Sequence, residues 1–107
     1  MSSVTVISDS VFATEVLQVE VPVLAYFWAP WCGPCRLVSP SLDGVAKFYG
    51  DRLKIVKLEV DPNQATVKQY NVEGVPAFRL FKDGIVIASL EGAITKEKLI
   101  KFIDSYL

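Results

Sequence analysis

Apolar and polar positions change period several times along the chain, and each change predicts an element. VTVI, residues 4–7, alternates and is β-branched, which predicts a short strand. SDSVFATEVLQV, residues 8–19, offers Ser8 or Asp9 as a cap, and its apolar positions Val11, Phe12, Val16, Leu17 and Val19 suit a short amphipathic helix. PVLAYFWA, residues 22–29, is a continuous apolar run of strand length, as expected of a strand covered on both faces of a central sheet. A helix then starts at the cysteines and runs to about Tyr49, with Pro34 tolerated in its first turn, Pro40 kinking its interior and Gly50 ending it. LKIVKLEV, residues 53–60, predicts another strand, and Asn63 caps a short helix to about Tyr70. In AFRLFKDGIVIASLEG, residues 77–92, two β-rich runs flank Asp83-Gly84, the dipeptide of a type I′ hairpin. TKEKLIKFIDSYL closes the chain as an amphipathic helix with Leu99, Ile100, Ile103, Tyr106 and Leu107 on one stripe. The order βαβαβα followed by ββα predicts one α/β domain over residues 1–107, with a mixed sheet covered on both faces.

Composition changes this picture mainly by exclusion. The chain has 107 residues, 51% hydrophobic and 21% charged, enough to bury a core without disulfide staples. Eleven basic and twelve acidic residues leave a net charge of -1, which gives no electrostatic footprint for nucleic acid or an anionic membrane. The uncharged run from Val21 to Cys35 is too short and too rich in proline to span a bilayer. MSSVTVISDS lacks the cationic and apolar blocks of a secretory signal, so the expectation is a cytoplasmic protein or one of another reducing compartment, working as a monomer. With no histidine in the chain, Cys-His nucleophiles, Ser-His-Asp triads and His-ligated metals are excluded.

The chemistry therefore centres on CGPC. Cys32 and Cys35, at i and i+3, are neighbours on a helical surface at about 5 to 6 Å between Cβ atoms, close enough to bridge. At a helix N-terminus Cys32 would meet unpaired N–H groups and the positive end of the helix dipole, which favour its thiolate, while Cys35 lies one turn inside, more buried and less acidic. An exposed Cys32 would attack a substrate disulfide, and Cys35 would then attack Cys32 to release the reduced substrate. Pro34 stiffens the first turn, and Gly33 lets a partner backbone approach without a Cβ in the way. Two other readings of the pair are weaker. A zinc site needs four ligands, and the chain has no further Cys and no His. A purely structural disulfide would close a four-residue loop, which removes little chain entropy.

FWAPWCGPC after an apolar strand resembles the thioredoxin family, and the resemblance continues through DPN at 61–63, GVPAFRLFKDG at 74–84 and EGAITKEKL at 91–99. Thioredoxin is itself the general reference case for a CxxC redox pair, so the family is recognised here by its pattern. The resemblance implies the thioredoxin fold, three layers α/β/α with a five-stranded mixed sheet flanked by four helices, and a cis peptide before Pro76 beside the cysteines. It implies a protein disulfide reductase with no cofactor beyond the Cys32-Cys35 pair. It also implies a substrate surface of Trp31, Gly33, Pro34, Val75, Pro76, Gly92 and Ala93. The backbone of Val75 would pair with an extended substrate as an added strand, and Trp31 would give a shallow apolar contact. The alternative for Trp31 is a core aromatic, although Trp28 is better placed inside the strand. Implied partners are proteins with disulfides and a thioredoxin reductase. The rival from another class is a redox-independent binding subunit that uses the same surface.

One position departs from the family. Thioredoxins commonly carry a buried aspartate where LAYFW has Tyr26, and that carboxylate is held to relay the proton of the second cysteine. The family's buried lysine remains as Lys57. Alternation along the strand puts Glu59 on the face of Lys57, so Glu59 either supplies the lost carboxylate or is a solvated side chain, the ordinary fate of an acid. Water or Glu59 would then take the proton of Cys35. Tyrosine at this position resembles certain thioredoxins of cyanobacteria, which implies a photosynthetic setting and a reductase driven by ferredoxin or NADPH.

Overall fold

The computed structural model describes residues 3–107. Its sheet has five strands: β1 (Val4–Val6), β2 (Val23–Trp28), β3 (Lys54–Glu59), β4 (Ala77–Lys82) and β5 (Ile85–Glu91), in spatial order β1-β3-β2-β4-β5. β1 and β2 run parallel to β3, whereas β4 is antiparallel to β2 and β5. Three α-helices, α1 (Gly33–Tyr49), α2 (Gln64–Gln69) and α3 (Lys96–Asp104), and an irregular helical stretch before β2 cover the two faces. This is the mixed five-stranded sheet with four helical segments that the sequence implied.

The apolar run of β2 occupies the centre of the sheet, and its period-two alternation feeds two cores. Ala25 and Phe27 join Val56 and Leu58 of β3, with Phe12, Val16 and Phe81 over them. Leu24 and Tyr26 point to the opposite face, where Val38, Leu42 and Val45 of α1 and Leu99 and Ile103 of α3 close over them. Each large aliphatic side chain fully removed from water on these faces contributes about 1.5 to 3 kcal/mol. The 3-4-3 spacing of Cys35, Val38, Leu42 and Val45 gives α1 the stripe that fixes its rotation on the sheet.

Boundaries differ from the sequence reading in three places. Residues 8–19 form a 3₁₀ turn (Asp9–Val11) and a π-type turn (Ala13–Leu17), not one α-helix. Ser8 stands at the N-cap of the first turn, but its side chain makes no capping hydrogen bond there. The carboxylate of Asp9 instead accepts from the N–H groups of Ala65 and Thr66, both at 3.1 Å, and from the Thr66 hydroxyl, so it caps α2 from across the chain. Asn63 stands at the cap position of α2 but accepts from the N–H of Asp9 (2.8 Å) and donates to the carbonyl of Glu59 (2.7 Å). At the C-terminus α3 stops at Asp104, so Leu99 and Ile103 are buried while Tyr106 and Leu107 lie in solvent. The hairpin is as read: Asp83 and Gly84 have φ of 53° and 77°, the paired positive values of a type I′ turn.

Candidate active site

β2 ends at Trp28, and the chain turns through Ala29, Pro30 and Trp31 to place Cys32 at the N-cap of α1. Cys32 has extended backbone (φ -91°, ψ 107°), and its Sγ accepts a hydrogen bond from the N–H of Cys35 at 3.2 Å. That N–H is one of the four donors a helix leaves unpaired at its start. A sulfur therefore takes the place usually held by a Ser, Thr or Asp oxygen. Pro34 sits within the first turn, where its missing N–H costs nothing.

Cys32 and Cys35 are joined by a disulfide, with Cα atoms 5.3 Å apart. Cys35 is buried, as its place one turn inside the helix required. Cys32 is also buried, at 4% exposure, and corrects the expectation of an exposed sulfur. The physical reason is the cap itself, since a sulfur that accepts from the Cys35 N–H folds back over the helix start, and both cysteines join the core cluster of the Phe27 face. The residues around them remain open: Trp31, at 67% exposure, Gly33 and Pro34 all face solvent.

Register places the remaining predicted surface beside this pair. Phe27 stands opposite Ala77, and Ala77 opposite Glu91, so the Val75-Pro76 segment and Gly92 lie at the end of the sheet from which β2 delivers the cysteines. The Val75-Pro76 peptide is cis, and the N–H of Gly92 donates to the carbonyl of Pro76 at 2.8 Å. Gly92 has φ of 95°, a conformation that favours glycine. Gly92 and Ala93 are exposed, Val75 is half-buried, and Pro76 is buried.

The Tyr26 side chain fills the space behind Cys35. It is fully buried and stacks on Phe78 with ring centroids 5.3 Å apart. Its hydroxyl donates to the carbonyl of Cys35 (3.1 Å) and lies 3.2 Å from Ser39 Oγ, and Ser39 itself donates to the same carbonyl (2.9 Å). Burial raises the phenol pKa, offset in part by the Ser39 hydrogen bond, so Tyr26 holds its proton at neutral pH and cannot act as a carboxylate. Lys57, opposite Tyr26 in the β2–β3 register, places its Nζ 4.4 Å from the centroid of the Trp28 ring. Its ammonium thus makes a cation–π contact with that ring.

A groove of about 700 Å³ opens next to this network and is walled by Trp28, Pro30, Cys35, Ser39, Asp43 and Lys57, among others. Glu59 does not line it, so the groove brings Lys57 to the side of Cys35 and leaves Glu59 out. Sequence reasoning missed Ser39 and Asp43, although both lie on the α1 turns after Cys35 at spacings that i+4 and i+8 periodicity could have exposed. It also missed Asp61, whose carboxylate accepts from Trp31 Nε1 at 2.8 Å and holds that exposed ring in place. Among the described residues no cluster of three or more His, Cys, Asp or Glu side chains comes together to hold a metal, and no helix is long and apolar enough to cross a membrane.

A cysteine pair bridged at a helix N-cap, at the end of the central strand of an α/β sheet where an open, largely uncharged surface surrounds it, defines a thiol–disulfide oxidoreductase site. The thioredoxin family model matches residues 3–105, and the chain belongs to the thioredoxin family. It is 54% identical over 101 residues to a thioredoxin-like protein of Synechocystis sp., covering 94% of this chain and 93% of that protein. It is 41% identical to thioredoxin 1 of Synechococcus elongatus and 43% identical to thioredoxin of Haemophilus influenzae, in each case over 107 residues and the full length of both chains.

Proposed function

We propose that the protein is a protein disulfide reductase in which Cys32 is the nucleophile and Cys35 the resolving thiol. The observation that carries this assignment is the N-cap geometry: the donor aimed at Cys32 Sγ stabilises negative charge there, and among the described residues no equivalent donor serves Cys35 Sγ. In the dithiol form the Cys32 thiolate attacks one sulfur of a target disulfide, forming a mixed disulfide and expelling the other target sulfur as a thiolate. Cys35 then loses its proton, attacks Cys32 Sγ, restores the Cys32–Cys35 bond and expels the second target sulfur. The target gains two electrons, and the protein gives them up.

The proton of Cys35 leaves through the groove that Ser39, Asp43 and Lys57 line, with water as acceptor. Tyr26 takes no proton in this route and holds the first turn of α1 in position. Trp31, Gly33, Pro34, Val75, Gly92 and Ala93 form the target surface, with the Val75 backbone offering the edge for an added strand. Disulfide-bearing proteins are the targets, and a thioredoxin reductase fed by ferredoxin or NADPH returns the dithiol. Such a cycle belongs in a reducing compartment such as the cytoplasm.

Reduced Cys35→Ser protein, mixed with a disulfide-bonded protein and separated without reductant, tests the roles of the two thiols. The expected result is a covalent adduct mapped to Cys32 and released by dithiothreitol. An adduct formed equally well by Cys32→Ser through Cys35, or no adduct with either variant, would overturn the assignment.

A further inference from the structure

The two faces of the sheet each contribute a surface depression of different charge. On the α2 face a depression of about 180 Å³ has an apolar wall of Trp31, Val67 and Val75, and the one charged side chain lining it among the described residues is Glu73. Asp61 adds a second carboxylate beside Trp31. On the opposite face a depression of about 530 Å³ lies between α1 and the start of α3. Leu37, Ala93 and Ile94 give it apolar surface, and Lys96 and Lys98 outnumber Glu97. Leu37 is 76% exposed. Lys96 is seated: a Cβ at position 44 would stand 2.8 Å from its Cδ, so Gly44 is what lets the lysine stem lie across α1.

We propose that this polarity selects and orients targets. The preferred partner is an extended, disulfide-bearing segment with acidic side chains on the α1–α3 side of its cysteine and basic ones on the α2 side. The distances fit such a segment. Leu37 and Ser41 lie five and nine residues past Cys32, about 7 to 14 Å along α1 at about 1.5 Å per residue. An extended chain covers that span in two to four residues at about 3.3 Å each. The rim charges Asp61, Glu73, Lys96, Glu97 and Lys98 are all exposed, so each pairing acts weakly and is screened by salt. Trp31, Gly33, Pro34, Val75, Gly92 and Ala93 carry no charge, so the flanks distinguish one end of a bound segment from the other. The proposal rests on the reductase reading and adds direction to it.

The test uses two disulfide peptides of identical composition with the acidic and basic residues exchanged between the N- and C-terminal sides of the cysteine. Second-order rates of reduction by the dithiol protein are measured at about 10 mM and about 1 M salt, where the screening lengths are roughly 30 and 3 Å. One order should react faster at low salt, by about 1.4-fold to fivefold for each charge pair, and the preference should vanish at high salt. The variant Glu73→Lys, Lys96→Glu, Lys98→Glu should reverse the ratio, and because the ratio is internal to each protein it is insensitive to partial loss of active material. Equal rates at low salt, a preference that survives high salt, or a ratio unmoved by the variant overturns the proposal while leaving the reductase intact. Failure to reduce either peptide counts against the reductase reading itself.

Discussion

Replacing Tyr26 by Phe removes one hydroxyl from behind Cys35 and leaves the ring, its stack on Phe78 and the packing volume in place. The carbonyl of Cys35 keeps Ser39 as a donor, so no buried acceptor is stranded, and the loss near neutral pH should stay below about 1 kcal/mol. The sign of the difference changes in alkali. Burial raises the phenol pKa above the ordinary 10.0, so the native state holds this proton more tightly than the unfolded state. Such a group contributes its full stability below the unfolded pKa and loses it as pH rises towards the folded one. At about pH 11 the unfolded phenol is mostly ionised, and wild type loses up to about 1.4 kcal/mol that the Tyr26→Phe variant never had. Tyr49 and Tyr70 also have raised pKa values, but they are present in both proteins and cancel. Urea unfolding of the oxidised forms at about pH 7 and about pH 11 gives the two differences, with the slope expected near 1 to 3 kcal/mol per molar urea. The Tyr26→Phe variant should gain on wild type between the two pH values. A difference that stays constant, or grows in favour of tyrosine, would refute the burial argument for the phenol.

Three further substitutions test the same geometry. Tyr26→Asp restores a carboxylate next to Lys57 at the cost of an aromatic ring. Burial would raise its pKa, so its penalty should deepen as pH climbs above about 3.9, and urea midpoints equal at low and neutral pH would contradict this. If the missing carboxylate weakens acid–base assistance to Cys35, the same variant changes the pH profile of disulfide reduction, and an unchanged profile would show that a carboxylate at this place gives Cys35 no assistance. Asp9→Ala removes the cap of α2 and should lower stability by about 1 to 2 kcal/mol, read as a shifted urea midpoint; a shift near zero would show that the three hydrogen bonds are replaceable by water. Gly84→Ala meets both a φ of 77° and the carbonyl of Leu17, 3.1 Å from the new Cβ, and should cost about 1 kcal/mol or more in the same assay; a neutral result would mean that the turn relaxes.

What the sequence made legible was local. The spacing of Cys32 and Cys35, the apolar run of β2 and the Asp83-Gly84 turn each carry their meaning within a few residues. Contacts between distant segments were beyond it. Asp9 and Thr66 are 57 positions apart, and nothing in SDSVFA reveals that its carboxylate belongs to another helix. Arg79 looks like a misplaced charge inside AFRLF, yet it is buried because the carbonyls of Tyr70, Asn71 and Phe78 accept its N–H groups. The β2–β3 register sets Lys57 opposite Tyr26, and which partner its ammonium would meet depended on where the Trp28 ring lay. The burial of Cys32 was missed for a related reason, since its exposure was inferred from position in the helix before the cap hydrogen bond was known.

Cys32 is both the first anchor of α1 and the atom that carries electrons, and those two duties share one thermodynamic square. Its edges are folding of the disulfide form, folding of the dithiol form, and reduction of the folded and of the unfolded chain. Whatever strengthens the contact between the thiolate and the helix start makes the dithiol form fold more firmly and makes the folded protein easier to reduce, by about 30 mV for each 1.4 kcal/mol. A substitution anywhere in the first turn of α1 that favours one redox form thus registers twice, as a change in the difference between two unfolding midpoints and as a matching change in reduction potential. The potential of this protein is in that sense a property of how its longest helix begins.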